Sequence, residues 1–201
     1  MIEKQAIIQQ WQLYIITDRQ LSRNRSHQDI ARQAIAAGAA VIQLRDKAAS
    51  GQELFETARE LRKLTRDTHA HLIINDRIDI ALAVDADGVH VGLEDIPAAV
   101  ARKLIGKPRI LGGSAGTVQE AVEAEQQGAD YLGAGPVFEA RSTKADAGEA
   151  RGTDLVREIR KHCTIPVIAI GGIKLENLTD IFQAGASGAA VISAIVTADN
   201  I

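Results

Sequence analysis

The chain has 201 residues, 46% of them hydrophobic and 24% charged, with a formal net charge of -3. That is enough apolar material for one sizeable core, and it excludes the basic excess that would draw in nucleic acid or an anionic membrane. A single cysteine, Cys163, excludes an internal disulfide, and the N-terminal stretch MIEKQAIIQQWQLYIIT lacks the basic start, long apolar run and small-residue cleavage pattern of a signal peptide, so a cytoplasmic protein is expected.

Short continuous apolar runs recur along the chain: LYIIT (13–17), VIQL (41–44), LIIN (72–75), VHVG (89–92), RILGG (109–113), YLGAGPVF (131–138), PVIAIGG (166–172) and AAVISAI (189–195). All are too short to cross a bilayer as helices, and each reads as a strand. Between them lie helical patterns such as SGQELFETARELRKLTRD, where Leu54, Ala58, Leu61 and Leu64 keep the three-to-four spacing and charges take the other face. Continuous rather than alternating apolar strands imply burial on both faces, hence parallel pairing with helices packed outside. The joints AAGAAVIQL, QQGADYLGA and QAGASGAAVIS each place a glycine, Gly38, Gly128 or Gly185, where a helix C-terminus needs a left-handed residue before the next strand.

Eight such units predict an α/β chain folded as a parallel eight-stranded (β/α)8 TIM barrel, a single domain over residues 1–201, whose final helix is shortened or absent because the sequence stops at VTADNI. An uncovered eighth strand would destabilise the barrel unless another segment buries it. A doubly wound open sheet is the alternative, but no G-x-G-x-x-G follows the first strand.

In a barrel, residues at the C-terminal ends of strands face the active-site mouth. Read that way, the rim carries Thr17 and Asp18 after the first strand, then Gln43, Arg45 and Lys47, then Asn75 and Asp76, then Glu94 and Asp95. Ser114 follows the fifth, the long loop 139–152 with Lys144 follows the sixth, Gly171-Gly172 the seventh and Ser193 the eighth. Arg45, Lys47 and Lys144 suit phosphate oxygens. Asp76 and Asp95, one strand apart, suit a hard divalent cation shared with diphosphate, since Mg²⁺ takes one or two carboxylates plus substrate phosphates and water. Gly171-Gly172 and the stretch Gly188 to Ser193, at strands seven and eight, suit a second anion held by backbone N–H groups.

Each feature also has a plain structural explanation. Arg45-Asp46-Lys47 fits a solvated turn, Asp76-Arg77 an exposed ion pair, and Asp95 a cap on a helix beginning near Ile96. His90 reads as a packed or rim histidine, His69 and His71 as exposed, and Cys163 as a buried or helix-end thiol without a nucleophile's surroundings.

The stretches YIITD, VIQLRDK, IINDRIDIALAVDADGVHVGLED, GGSAGTVQEAVEAEQQGADYLGAGPVF, STKADA, IPVIAIGGI and AAVISAI closely resemble the thiamine phosphate synthase family, with Q-L-R-x-K, I-N-D, G-x-x-D, T-K-x-D and A-I-G-G-I in family order between Leu13 and Ile195. The resemblance implies a (β/α)8 transferase of thiamine biosynthesis. It would join 4-amino-5-hydroxymethyl-2-methylpyrimidine diphosphate to 4-methyl-5-(2-hydroxyethyl)thiazole phosphate, releasing diphosphate, with Mg²⁺ as cofactor. Small-molecule substrates are its implied partners, without nucleic acid or membrane, and a homodimer is one open assembly.

Carried onto this sequence, the family pattern makes Asp76 and Asp95 the metal ligands. It places Arg45, Lys47, Asn75, Ser114 and Lys144 at the diphosphate, with Arg45, Lys47, Ser114 and Lys144 as the catalytic set. Gln43 addresses the pyrimidine, and Thr143, Gly172, Ile192 and Ser193 the thiazole phosphate. The implied mechanism is dissociative: the pyrimidine loses diphosphate to leave a stabilised carbocation, which the thiazole nitrogen captures.

The sequence departs from the family at SAGT, where Gly116 stands at a usual histidine, and at FEARSTK, where the loop is longer and Arg141 or Ser142 replaces an upstream threonine. The alternatives are a thiazole tautomerase-like paralogue, whose activity depends on the histidine replaced by Gly116, and a non-catalytic phosphate-binding barrel, which predicts a scrambled rim.

Overall fold

The computed structural model of the protein describes residues 2–139 and 149–198, with side chains from Lys4 onward. Strands β1 (Leu13–Thr17), β2 (Val41–Leu44), β3 (His71–Asn75), β4 (Gly88–Val91), β5 (Ile110–Ala115), β6 (Tyr131–Ala134), β7 (Val167–Ile170) and β8 (Gly188–Val191) pair in parallel in chain order. Pairing of β8 with β1, Leu13 opposite Ala189 and Ile15 opposite Val191, closes the barrel. Helices α1 (Ile2–Ile8), α2 (His27–Ala36), α3 (Gly51–Arg66), α4 (Ile78–Ala83), α5 (Ala98–Ile105), α6 (Val118–Gln126), α7 (Gly152–His162), α8 (Leu178–Gln183) and α9 (Ser193–Val196) fill the connections and ends. Among the described residues no helix is long and apolar enough to cross a membrane.

Local chemistry accounts for most boundaries. Helix α3 starts where predicted, because Ser50 accepts from Glu53 N while the Glu53 carboxylate takes Ser50 N, a capping box that satisfies two otherwise unpaired amides. Its buried stripe is Leu54, Ala58, Leu61 and Thr65, with Leu64 only half-buried beside it. Gly38, Gly128 and Gly185 adopt φ of 96°, 94° and 95°, the left-handed turn that ends each preceding helix.

Several expected boundaries shift. The run YLGAGPVF is a strand only to Ala134, and PVIAIGG only to Ile170. AAVISAI breaks in two: β8 stops at Val191, where its pairing with β1 ends, and Ser193–Val196 is helical. A four-residue helix does follow the eighth strand, and Arg25 ties its end down by donating to the Val196 and Ala198 carbonyls at 2.6 and 2.7 Å. All four residues of β8 are buried, so the expected uncovered strand is not observed. His71 is not an exposed joint residue: it opens β3 opposite Val41, and its ring lies 5.3 Å from that of Trp11.

The end of the barrel at the strand N-termini is plugged by the segment that precedes the first strand. Ile8 and Trp11 are buried, and the Trp11 ring stands edge-on to Tyr14 and Tyr131 at 6.0 and 5.4 Å. Lys4 of α1 reaches the Arg109 carbonyl at 2.9 Å and Asp130 at 3.2 Å, pinning the helix across the barrel floor. The opposite, C-terminal end is open.

Candidate active site

At that open end lies a cavity of about 570 Å³, within the usual range for a small-molecule site. The strands build it by their period of two. Tyr14 and Ile16, Gln43, Asn75, His90, Ser114, Tyr131 and Gly133, Ile168 and Ile170, and Ala190 all line it, while the residues between them pack against the helices. Apolar strands buried on both sides thus hide a polar set on one of them.

The structure brings Gln43, Arg45, Lys47, Asn75, Asp76, Asp95, Ser114, Gly172, Ile192 and Ser193 to this one cavity. Thr143 and Lys144 lie outside the described residues, as do Arg141 and Ser142. Two placements differ from a simple rim. Gln43 is buried inside β2, and Ser114 lies within β5, which continues to Ala115, so both sit below the mouth rather than beyond the strand ends. Thr17 is buried outside the cavity lining, bonded to His27 Nδ1 at 2.8 Å.

Arg45 is not part of a solvated turn. Its guanidinium pairs with Asp18 at 2.9 Å, and Asp18 in turn accepts from the Gln20 and Leu21 amides at 3.0 and 3.2 Å. Neighbouring Asp46 accepts from the Ala48 and Ala49 amides, both at 3.2 Å, and pairs with Arg19 at 2.6 Å. A long flexible cation is thereby held in place before any ligand arrives. Lys47 is exposed at the mouth and makes no hydrogen bond or ion pair among the described residues.

The two acidic residues are held with equal care. Asp76 has φ of 61°, a left-handed conformation that aspartate tolerates better than most residues, and its amide donates to the His90 carbonyl at 2.8 Å. It forms no pair with Arg77, which is occupied by Asp79 at 2.6 Å. Asp95 is no helix cap either: α5 begins at Ala98 behind Pro97, and the Asp95 carboxylate instead turns back to the Gly92 amide at 2.7 Å. A Cβ at position 92 would stand 2.9 Å from that carboxylate oxygen, so the glycine of G-x-x-D makes room for the aspartate. Burial and the adjacent Asp95 carboxylate push Asp76 up to about 7, against relief from Lys47 and Arg45. Paired carboxylates that hold a proton near neutrality, both supplying hard oxygens to open space, fit a divalent cation completed by water and phosphate oxygens. Among the described residues no three His, Cys, Asp or Glu side chains form a cage, so such an ion would depend on its ligand for the remaining oxygens.

Across the mouth, Gly171 and Gly172 have φ of 98° and 62°. A Cβ on Gly172 would meet the Glu139 carbonyl at 2.6 Å, so backbone alone fits there. With Ile192 and Ser193 at the start of α9, this side offers main-chain groups and a hydroxyl rather than charge.

Sequence reasoning does not single out Tyr14 and Tyr131, which form the cavity floor, or Arg151, a cation lining the mouth just before α7. A lone polar residue at alternate positions of an apolar strand is the available signal for the tyrosines. Cys163 caps the C-terminus of α7 away from the cavity, and burial with the nearby Glu125 carboxylate pushes its thiol up to about 11, so it is no nucleophile.

Comparison with known proteins adds three findings. Residues 13–195 match the sequence family described as thiamine monophosphate synthase. The chain is 53% identical over 98% of its length to a thiamine-phosphate synthase of Chloroflexus aurantiacus, covering 90% of that protein, and 54% identical over 94% to one of Methanospirillum hungatei, covering 91%. A solved structure described as thiamine phosphate pyrophosphorylase from Pyrococcus furiosus superposes with a TM-score of 0.87 at 43% identity, over 96% of this chain and 91% of that one.

Proposed function

Since the chain belongs to the thiamine monophosphate synthase family and is a transferase of thiamine biosynthesis, we propose that its mouth joins 4-amino-5-hydroxymethyl-2-methylpyrimidine diphosphate to 4-methyl-5-(2-hydroxyethyl)thiazole phosphate. The observation that carries this is the asymmetry of the cavity. Asp76, Asp95, Arg45 and Lys47 cluster on one side, and the backbone cradle of Gly172, Ile192 and Ser193 lies on the other. One anion needs strong charge compensation and the other needs only seating.

Asp76 and Asp95 would hold Mg²⁺ between them. When bound, it would offset the diphosphate's negative charge. Arg45, already aligned by Asp18, offers a planar fork to the diphosphate oxygens, and Lys47 a point charge at the rim. Asn75 and Ser114 add neutral hydrogen bonds, Lys144 belongs to the same set by sequence, and Gln43 addresses the pyrimidine ring. The bond from the pyrimidine methylene carbon to diphosphate oxygen breaks with its electron pair leaving on the diphosphate. The thiazole nitrogen lone pair then forms the new carbon–nitrogen bond. No proton is gained or lost in the exchange.

A dissociative step of this kind asks for charge stabilisation and alignment rather than a general base. That demand agrees with His90, whose two ring nitrogens meet Tyr131 and Ser114. Gly116 lines the mouth without a side chain, which disfavours a tautomerase relying on histidine there, and the intact rim disfavours a non-catalytic barrel. Purified protein given both substrates and Mg²⁺ is expected to form thiamine phosphate and to stop in excess chelator. Undiminished turnover after metal removal would sink the metal assignment, and folded protein without product would sink the reaction.

A further inference from the structure

Beneath the mouth, five side chains from five strands are joined by successive hydrogen bonds. Gln43 Nε2 donates to the Tyr14 hydroxyl at 2.7 Å, and the Tyr14 and Tyr131 hydroxyls meet at 2.8 Å. The Tyr131 hydroxyl meets His90 Nδ1 at 3.1 Å, and His90 Nε2 meets Ser114 Oγ at 3.0 Å. The surrounding chain is built to admit this row. A Cβ at Gly112 would overlap the Tyr131 ring and His90 Nδ1, and one at Gly133 would stand 3.0 Å from His90 Cε1. Trp11 braces both tyrosine rings from below. Burial pushes both phenols above their ordinary range, so neither ionises near neutrality.

Counting protons gives the row a direction. A hydroxyl has one proton and a neutral imidazole one N–H, whereas the amide nitrogen of glutamine only donates. Tyr14 accepts from Gln43, and among the described residues its own proton has no acceptor other than Tyr131, so it goes there. Tyr131 then donates to His90 Nδ1, which leaves the imidazole proton on Nε2, pointing at Ser114. Ser114, accepting there, keeps its own proton for the cavity. At the other end Gln43 Oε1 accepts no hydrogen bond among the described residues.

We propose that Tyr14, Tyr131 and His90 act as positioning residues, forming a one-way hydrogen-bond chain that presents Gln43 to the cavity as an acceptor and Ser114 as a donor, and so selects a ring bearing an amino group over one bearing a carbonyl. This rests on the pyrimidine diphosphate reading above and deepens it. Gln43 Oε1 accepts from the exocyclic amino group, and the Ser114 hydroxyl donates to a diphosphate oxygen. A 4-oxo analogue would set carbonyl against carbonyl in a buried position, a mismatch worth on the order of 10² or more in kcat/KM.

Nitrogen NMR on ligand-free, 15N-histidine-labelled protein tests the chain without any substrate. The expected state of His90, assigned by its loss in His90→Gln, is protonated Nε2 and unprotonated Nδ1. Tyr131→Phe is expected to lose that fixed tautomer, to raise KM for the pyrimidine diphosphate roughly tenfold or more and to leave KM for the thiazole phosphate unchanged. Tyr14→Phe, which spares the Tyr131–His90 bond, should keep the tautomer yet lose the amino-over-oxo preference, and serves if Tyr131→Phe does not fold. A wild-type His90 protonated on Nδ1 or on both nitrogens would overturn the chain's direction, and an unchanged amino-over-oxo preference in both variants would overturn its role. The expected tautomer in a wild-type protein that does not bind the pyrimidine diphosphate would instead reject the underlying functional reading and, with it, the ligand half of the proposal.

Discussion

The two ends of the barrel use the same residue types in opposite ways. At the floor, Asp130 is matched to Lys4 at 3.2 Å and Arg102 at 2.5 Å, and it accepts from the Leu111 amide at 2.9 Å. Asp87 is likewise matched to Arg62 at 3.0 Å and the Leu72 amide at 2.7 Å. At the mouth, Asp76 and Asp95 face one another, and the side chains of Lys47 and Arg151 make no hydrogen bond or ion pair to any other described residue. Carboxylates that hold a fold together are compensated within the chain, whereas those that hold a ligand are left for the ligand to compensate.

The sharpest way to break this contrast is Asp95→Ala. Turnover should fall on the order of 10² to 10³, because a positioned electrostatic element is lost. The unfolding midpoint should change little, because the relief of Asp76 offsets the lost hydrogen bond from the Gly92 amide. Steady-state kinetics beside thermal unfolding reads both, and an active but destabilised enzyme would make Asp95 structural after all.

The mirror experiment is Asp130→Asn. Leaving Lys4 and Arg102 without their half-buried partner should cost roughly 3 kcal/mol in stability, with kcat per folded molecule unchanged. Chemical denaturation supplies the first quantity and an active-site titration the second. A large loss of kcat in folded Asp130→Asn would erase the separation between floor and mouth.

The smallest effect is a pH dependence. The native Asp76 carboxyl is raised from 3.8 to about 7, so the folded chain keeps a proton that the unfolded chain gives up. The contribution is fully present below 3.8 and fades as pH rises through about 7, so metal-free protein should lose stability across that window. Excess Mg²⁺ should flatten the loss by replacing the proton. Denaturation midpoints at several pH values with and without Mg²⁺ measure it, and an unchanged slope in Asp76→Asn would show that Asp76 does not carry the effect.

Much of this molecule is legible in the amino-acid sequence alone. Period and composition locate the parallel strands, Ser50 and Glu53 locate the start of α3, and the glycines at 38, 128 and 185 locate helix ends, because each depends on residues within a few positions of one another. The charged rim is equally legible, since residues following successive parallel strands share one end by topology. Local chemistry does not decide where β8 ends, which depends on the reach of β1, nor that residues 2–8 form a helix pinned by Lys4 to Asp130. Nor does it reveal that Tyr14 and Tyr131, 117 residues apart, share a hydrogen bond under the site. An apolar strand reads the same whichever of its faces turns inward. Only closure of the barrel, with its register between β1 and β2 through to β8, settles that Tyr14, Gln43, His90, Ser114 and Tyr131 point into one lumen.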